Sequence, residues 1–487
     1  MQERIKISDK LSVPRVLIGL WQIADMEKDG KTLDPNITSK YMNLYAENGF
    51  TSFDMADHYG SSEIIAGVFK NNYKNHSDIN LFTKWVPTPG KIDRKLTKDA
   101  VLKSLSRMNQ SQIDLMQFHA WQYSDPSWID ALFYLDELRR EGLIKNIGVT
   151  NFDAAHLRIA LSSGIKLVSN QICYSLLDRR ASGEMSKICQ EFGIKLFAFG
   201  TLAGGFLSKK WLGKKEPKIS DDLNWSQMKY KRFIDVTGGW KKFQNLLKTL
   251  DELSIRNNTS ISNISSRYIL EDPNVAAVII GARLGESDYI NDNKKIYDVN
   301  FSEEDKKLLS KSLNLLDVVP GDCGDEYRKP PFLTASGDLS HHLSSMPKVY
   351  EISKVTKKRE NISSNTSWEE MASYSRAVKF GNRIIVSGTT ATHNEKVIGK
   401  DDPIAQTNFI IDKIEAAVTS LGGSLNDIVR TRIFVKNMDN WKDIAETHGK
   451  RFKNIKVKEI NNLPKVHMTY GIKIGEVDSE APSYGLN

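Results

Sequence analysis

The sequence predicts an α/β protein, a closed barrel of eight parallel strands covered by helices, followed by a smaller α+β domain. Three observations predict it. From residue 37 to about 295, short apolar runs alternate with longer segments of helical period, the pattern of repeated βα units. Counting the run near the N-terminus, eight such strands fall within ~300 residues, which suits closure better than an open sheet. From about 319 to 347 the periodicity gives way to a Pro-, Gly- and Ser-rich stretch, and the texture beyond it changes.

The strand candidates run from Val13 to Ile18, Phe50 to Met55, Asn80 to Trp85, Ile113 to His119, Ile144 to Val149, Leu167 to Gln171, Ile194 to Phe199 and Val275 to Ile280. Helix candidates between them include Ile37 to Asn48, Ser61 to Tyr73, Ser127 to Glu141 and Asp178 to Phe192. In the third of these, Trp128, Ile129, Leu132, Phe133, Leu135 and Leu138 share one broad face, with Asp136, Glu137, Arg139 and Arg140 largely opposite, and Gly142 stops it. An open doubly wound sheet is the alternative, but no GxGxxG follows an early strand. Residues 208 to 240 interrupt the pattern with charge and glycine and read as an insertion or mobile loop at the barrel face, able to act as a lid. The expected division is a barrel over 1–318, a linker over 319–347 and a second domain over 348–487. His341 and His342 lie in that linker with no Cys or carboxylate at ligand spacing, so they read as loop residues and no metal is expected.

Composition narrows the classes. At 487 residues the chain is too long for one core, and 40% hydrophobic with 26% charged residues is ordinary for a folded protein. The net charge of +8 is dispersed in pairs such as Lys209-Lys210 and Lys214-Lys215, without the clustered charge or module that nucleic-acid binding requires. Cys173, Cys189 and Cys323 have no metal-ligand or disulfide spacing, which fits a reducing compartment. The N-terminal MQERIKISDK lacks a signal-peptide core, and no apolar run approaches ~20 residues. A cytoplasmic protein without membrane partners is expected.

Four reactive side chains fall at successive strand ends. Asp54 and Tyr59 lie in FDMADHYGSSE, Lys84 in LFTKW and His119 in LMQFHAW. In a closed barrel these ends converge on one face, where active sites are built. A phenol with a pKa near 10 is a poor acid near neutral pH unless a cation lies beside it, which Lys84 supplies. A buried lysine needs a counter-charge, which Asp54 supplies, and His119 adds a donor or relay. Such a set can protonate a carbonyl while hydride reaches its carbon, and hydride requires a nicotinamide. Taken singly, each residue also has a structural reading: a cap, a packing ring, a surface charge and a core histidine.

This order and spacing closely resembles the aldo-keto reductase superfamily from about residue 11 to 315, whose Asp, Tyr, Lys and His match Asp54, Tyr59, Lys84 and His119. The resemblance implies a TIM barrel and reduction of a small aldehyde or ketone. It also implies that Thr150 and Asn151 in GVTNF, with Gln171 in SNQICYSLLDRR, hold the nicotinamide carboxamide, and that Phe199 in FAFGTLAGGFL stacks on the ring. In IIGARLGESDYINDN, Arg283 corresponds to the 2′-phosphate contact and Asn293 to the adenine contact, while Gly281 stands where many relatives have lysine. NADP(H) is therefore the expected cofactor. Trp21, Trp85 and Trp121 are candidates for an aromatic substrate pocket, or for core packing.

After the linker come strand candidates Arg376 to Phe380, Arg383 to Val386, Arg430 to Val435 and Lys465 to Ile474, with helices Ala405 to Leu421 and Trp441 to Phe452. From about 372 to 481 the motifs ASYSRAVKFGNRIIVSGTTA, DDPIAQTNFIIDKIEAAVTSLGGSLNDIVRTRIFVKNMDNW and VDSEA resemble the Rid (YjgF-type, endoribonuclease L-PSP-like) family. That resemblance implies a chorismate-mutase-like fold, trimers with clefts between subunits, and action on enamines and imines. Tyr374, Ser387 and Glu480 are carried over as cleft residues. The family's acid-binding arginine is absent from NNLPKVHMTY, where Lys465 is a point-charge substitute without the fork. A non-catalytic NADPH-binding sensor with a trimerising, ligand-binding second domain is the alternative function.

Overall fold

The computed structural model describes residues 3–219, 223–329, 339, 341–453, 455 and 472–474. It opens with a hairpin of β1 (Arg4–Ser8) and β2 (Leu11–Pro14). The barrel follows as β3 (Val16–Gly19), β4 (Ser52–Asp54), β5 (Asn80–Trp85), β6 (Leu115–Phe118), β7 (Ile147–Thr150), β8 (Leu167–Cys173), β9 (Lys195–Phe199) and β10 (Val275–Gly281), all parallel. Closure comes from β10 beside β3, with Val278 opposite Val16 and Gly281 opposite Gly19. The first predicted strand is divided: Leu11 to Pro14 belongs to the hairpin and the barrel strand starts at Val16.

Alternation along the strands sets two layers inside the barrel. The lower is apolar, with Leu17, Phe82, Leu115, Phe197 and Ala277 packed above Leu11 and Val13 of the hairpin. Two residues further along β4, β5 and β6 the same inward face carries Asp54, Lys84 and Gln117. Gly148 on β7 permits close approach here, since a Cβ would lie 2.6 Å from Ser169 Oγ.

The helices bear the expected caps. Asp34, Asp93, Asp153, Asn224, Ser260 and Ser302 each accept a backbone N–H of the helix they precede. Two expectations are corrected. The predicted helix from Asp178 to Phe192 starts only at Glu184, because Asp178 is spent on Arg180 and Gly183 breaks the approach. The predicted loop over 208–240 contains the helix Trp225–Val236, whose Phe233 and Ile234 are fully buried. The charge pattern misled because Lys229 and Lys231 point inward as well.

Residues 319–329, expected as linker, form a strap across the barrel face. Arg180 donates to Glu326 and to the Asp322 carbonyl, and Arg328 donates to the carbonyls of Ala120 and Asn151. Gly324 has φ +80°, and a Cβ there would lie 2.0 Å from the Asn151 carbonyl oxygen, so the strap can approach this closely only with glycine.

The second domain has an antiparallel sheet, β11 (Ile352–Thr356), β12 (Arg359–Ile362), β13 (Ala377–Phe380) and β14 (Arg383–Val386), in that order. The helix Pro403–Ser420 is buried along most of its length and packs on the barrel helix Ala154–Ser162. Of the strand expected from Arg430, only Phe434–Val435 is extended, and Lys465 lies outside the described residues. Polar bonds join the domains: His156 Nε2 to Asp412 (3.0 Å), Arg158 Nε and Ser162 Oγ to Asp402 (both 2.6 Å), and His393 Nε2 to Asp130 (2.8 Å). No helix among the described residues is long and apolar enough to cross a membrane.

Candidate active site

Four strands deliver one polar cluster at the mouth of the barrel. Lys84 Nζ donates to Asp54 Oδ2 at 2.5 Å and to the Met55 carbonyl at 2.8 Å. The other carboxylate oxygen accepts from Gln117 Nε2 at 3.0 Å and from Gln171 Nε2 at 2.7 Å. Asp54 and Lys84 are buried, 3% and 4% exposed, so their charges are tolerated only as a hydrogen-bonded pair. Burial pushes the Lys84 ammonium below the usual lysine range, and Asp54 opposes that shift.

Lys84 Nζ lies 5.1 Å from the centroid of the Tyr59 ring. Trp21 meets Tyr59 edge-on at 4.8 Å, and its Nε1 donates to Ser226, tying the mouth to the helix Trp225–Val236. His119 is 2% exposed, with Nδ1 3.4 Å from the Thr150 carbonyl and no hydrogen-bond partner for Nε2 among the described residues. Burial, reinforced by the nearby Arg328 cation, holds its pKa well below the ordinary histidine value, so the ring is neutral. Asp54, Lys84 and Tyr59 are thus brought together, while His119, just past the end of β6, contacts Trp121 and Tyr327.

The expected cofactor residues divide. Asn151, at φ +58°, has a buried Oδ1 without a partner among the described residues, a fitting acceptor for a carboxamide N–H. Thr150 Oγ1 donates to the Gln171 carbonyl at 3.1 Å. The Gln171 amide donates to Asp54 and, at 3.0 Å, to Gln117, so it braces the carboxylate and leaves only its own oxygen for a carboxamide. Phe199 is half-buried, with the Lys229 ammonium 4.8 Å from its centroid. Asn293 is buried in the helix Ile290–Lys294, and Gly281 is exposed at the end of β10. Arg283 is paired with Asp25 at 2.9 Å and Glu286 at 2.6 Å.

Of the three tryptophans, Trp21 and Trp121 flank the site, Trp121 meeting His119 edge-on at 4.6 Å. Trp85 does not. It follows the inward-facing Lys84, so alternation turns it outward into the core against Phe118. Beside Trp121 is a small cleft, lined also by Pro87, Phe118, Trp128 and Met346. His342 lies edge-on to Trp121 at 5.0 Å, as a packing ring. The described residues contain one cluster of metal-type donors, Cys173, Asp178 and Glu326, and Arg180 bridges its two carboxylates.

Sequence reasoning missed Gln117, Lys229, Tyr327 and Arg328. Gln117 was legible, being two residues before His119 on one strand. The others come from stretches read as loop and linker. In the second domain Tyr374 is half-buried and the Ser387 hydroxyl donates to the Ser375 carbonyl at 2.6 Å, while Lys465 and Glu480 lie outside the described residues.

Comparison with known proteins agrees with this architecture. Residues 15–314 match the family model described as the aldo/keto reductase family, and residues 365–469 match that described as endoribonuclease L-PSP. The chain is 27% identical over 345 residues to the NADH-specific methylglyoxal reductase of Escherichia coli, covering 63% of this chain and 97% of that protein. It is 26% identical over 322 residues to the uncharacterized oxidoreductase YrpG of Bacillus subtilis, covering 61% and 91%. The structure of a glycerol dehydrogenase from Gluconobacter oxydans superimposes with a TM-score of 0.54 at 20% identity, covering 66% of this chain and 97% of that one.

Proposed function

The chain belongs to the aldo/keto reductase family, an oxidoreductase with a Rid-family domain at its C-terminus, and from that premise we propose that it reduces the carbonyl of a small aldehyde or ketone with Tyr59 as general acid. The observation that carries this is the contact of the Tyr59 ring with an ammonium locked by Asp54. Tyr59 gives its hydroxyl proton to the carbonyl oxygen, and Lys84 stabilises the negative charge left on the phenol. Neutral His119 offers its unengaged Nε2 for orientation rather than acting as the acid. A bound nicotinamide supplies the hydride. Asn151 Oδ1 would hold its carboxamide, with Thr150 and Gln171 in support and the Phe199 face available to the ring.

NADP(H) is the proposed cofactor, for which Arg283 would hold the 2′-phosphate. The bonds from Arg283 to Asp25 and Glu286 favour a second reading, NADH, which is also the cofactor named for the E. coli relative. The ratio of kcat/KM for NADPH and NADH decides between them. The reaction itself is tested with methylglyoxal, the substrate named for that relative, by following cofactor oxidation: turnover by the native protein and its loss in Tyr59→Phe support the role, and undiminished turnover in the variant overturns it.

For the second domain, with its arginine position taken by Lys465, we propose a ligand-binding and trimerising module acting on or binding enamine or imine metabolites at Tyr374, Ser387 and Glu480. Exposed Trp368, Met371, Phe380 and Ile385 support self-association. Sedimentation as a trimer supports it and a stable monomer refutes it. The three buried free thiols suit a reducing, cytoplasmic setting.

A further inference from the structure

The helix Trp225–Val236 turns one lysine into the barrel mouth. Lys229 is 3% exposed. Its Nζ donates to the Tyr327 hydroxyl at 2.6 Å and lies 4.8 Å from the Phe199 centroid, 4.5 Å from that of Tyr327 and 5.5 Å from that of Tyr230. No carboxylate among the described residues pairs with it. Its buried neighbours are different: Lys84 has Asp54, Arg180 has Asp178 and Glu326, and Lys231 has Glu216 and Asp235. A buried cation enclosed by rings and one hydroxyl is costly unless an anion joins it. Burial opposes the charge, yet Tyr327, Cys173 and Glu326 together raise its pKa, so the ammonium persists.

The location gives this cation a purpose. Tyr327 meets the His119 ring edge-on at 5.7 Å, so ammonium and phenol stand beside His119 and Phe199. We infer that Lys229 and Tyr327 recognise a carboxylate carried by the carbonyl substrate, which makes short oxo acids the favoured substrate class. The inference rests on the reductase reading of this mouth. Lys229 provides the charge-assisted bond, and Tyr327 donates its hydroxyl proton to the carboxylate while still accepting from Lys229. The strap residues 319–329 are thereby part of the substrate site.

The test compares 4-oxobutanoate with butanal, which share an aldehyde and differ in the carboxylate, using the full chain with saturating cofactor. Lys229→Gln is expected to lower the kcat/KM ratio of acid to alkanal about 10- to 100-fold, mainly through KM, as loss of one hydrogen bond between charged groups requires. Lys229→Arg retains most of the preference, and Tyr327→Phe loses a smaller part. Cofactor affinity, read by fluorescence titration, stays within about twofold, because a charge-assisted contact to the dinucleotide would cost about tenfold or more. An unchanged ratio in Lys229→Gln overturns the inference. So does an equal loss of cofactor affinity, which would assign the cation to the dinucleotide's pyrophosphate. If the native protein turns over neither aldehyde, the reductase reading fails, and calorimetric binding of 4-oxobutanoate to native and Lys229→Gln protein still decides the carboxylate site.

Discussion

The barrel mouth and the second domain treat polar side chains in opposite ways. In the barrel, β4, β5, β6 and β8 each send one group to a common point, so that Asp54, Lys84, Gln117 and Gln171 are bonded to one another. In the second domain the sheet of β11 to β14 has no closing partner among the described residues. Ser387 bonds its own chain, Tyr374 is half-buried, and Phe380 and Ile385 are 57% and 47% exposed. Its most unusual ionisable group is inside: Lys413 donates to the carbonyls of Thr390 and Thr392, and burial, aided by Arg376, lowers its pKa to about 7. A closed sheet thus gathers its polar groups at one point, whereas the described sheet of the second domain leaves them apart.

Tyr59→Phe gives the largest expected effect, a fall in kcat of about 10²- to 10⁴-fold with cofactor affinity retained, in single-turnover assays. A change under tenfold would remove the barrel's advantage in this comparison. Asp54→Asn leaves Lys84 without its counter-charge and should lower unfolding free energy by about 3–5 kcal/mol in denaturant titration, unless Lys84 deprotonates. Gly324→Ala forces the strap off Asn151. It should cost about 1–3 kcal/mol and raise KM for the carbonyl substrate, and native kinetics would show the strap to be irrelevant.

A pH effect sharpens the contrast at the seam. Burial opposes the charge on His156, but Asp153 and Asp412 outweigh it and raise its pKa. Its contribution to stability is full below the ordinary histidine value of about 6.5 and is lost as pH rises through the raised value. Asp322, raised to about 6 by burial and the nearby Asp153, adds a decline of the same sign at lower pH. The His156 contribution is read as the difference in thermal midpoint between the native protein and His156→Gln, which should shrink from pH 6 toward pH 9; Lys413, with its pKa lowered to about 7, acts with the opposite sign in both proteins and cancels in that difference. The smallest effect belongs to Ser387→Ala, which removes one hydroxyl bond and should shift stability by about 1 kcal/mol or less. A larger loss in calorimetry would mean that the sheet of the second domain depends on its polar groups as the barrel does.

Much of this was legible in the sequence where geometry is periodic. Strand ends locate Asp54, Tyr59, Lys84 and His119 because parallel strands in a barrel finish on one face. The same alternation excludes Trp85 from the pocket, a consequence already contained in the inward direction of Lys84. Lys229, Tyr327 and Arg328 were illegible for a physical reason. Their stretches are polar and rich in glycine or proline, and their burial follows from long-range contacts such as Arg180 with Glu326 and Arg328 with the Ala120 carbonyl. The same holds for Gln171, whose amide serves Asp54 across the barrel, a partnership no local spacing announces.

The strap also governs how this polypeptide can be dissected. A fragment ending where the family match ends, at residue 314, would keep all eight barrel strands and the four reactive groups, yet lack Glu326, Tyr327 and Arg328. Arg180 would then lose one of its two acids, and the Asn151 backbone would lose the guanidinium that clamps it. Such a truncated barrel would be a different catalyst from the intact protein, so the tail that leads into the second domain is also the last piece of the first.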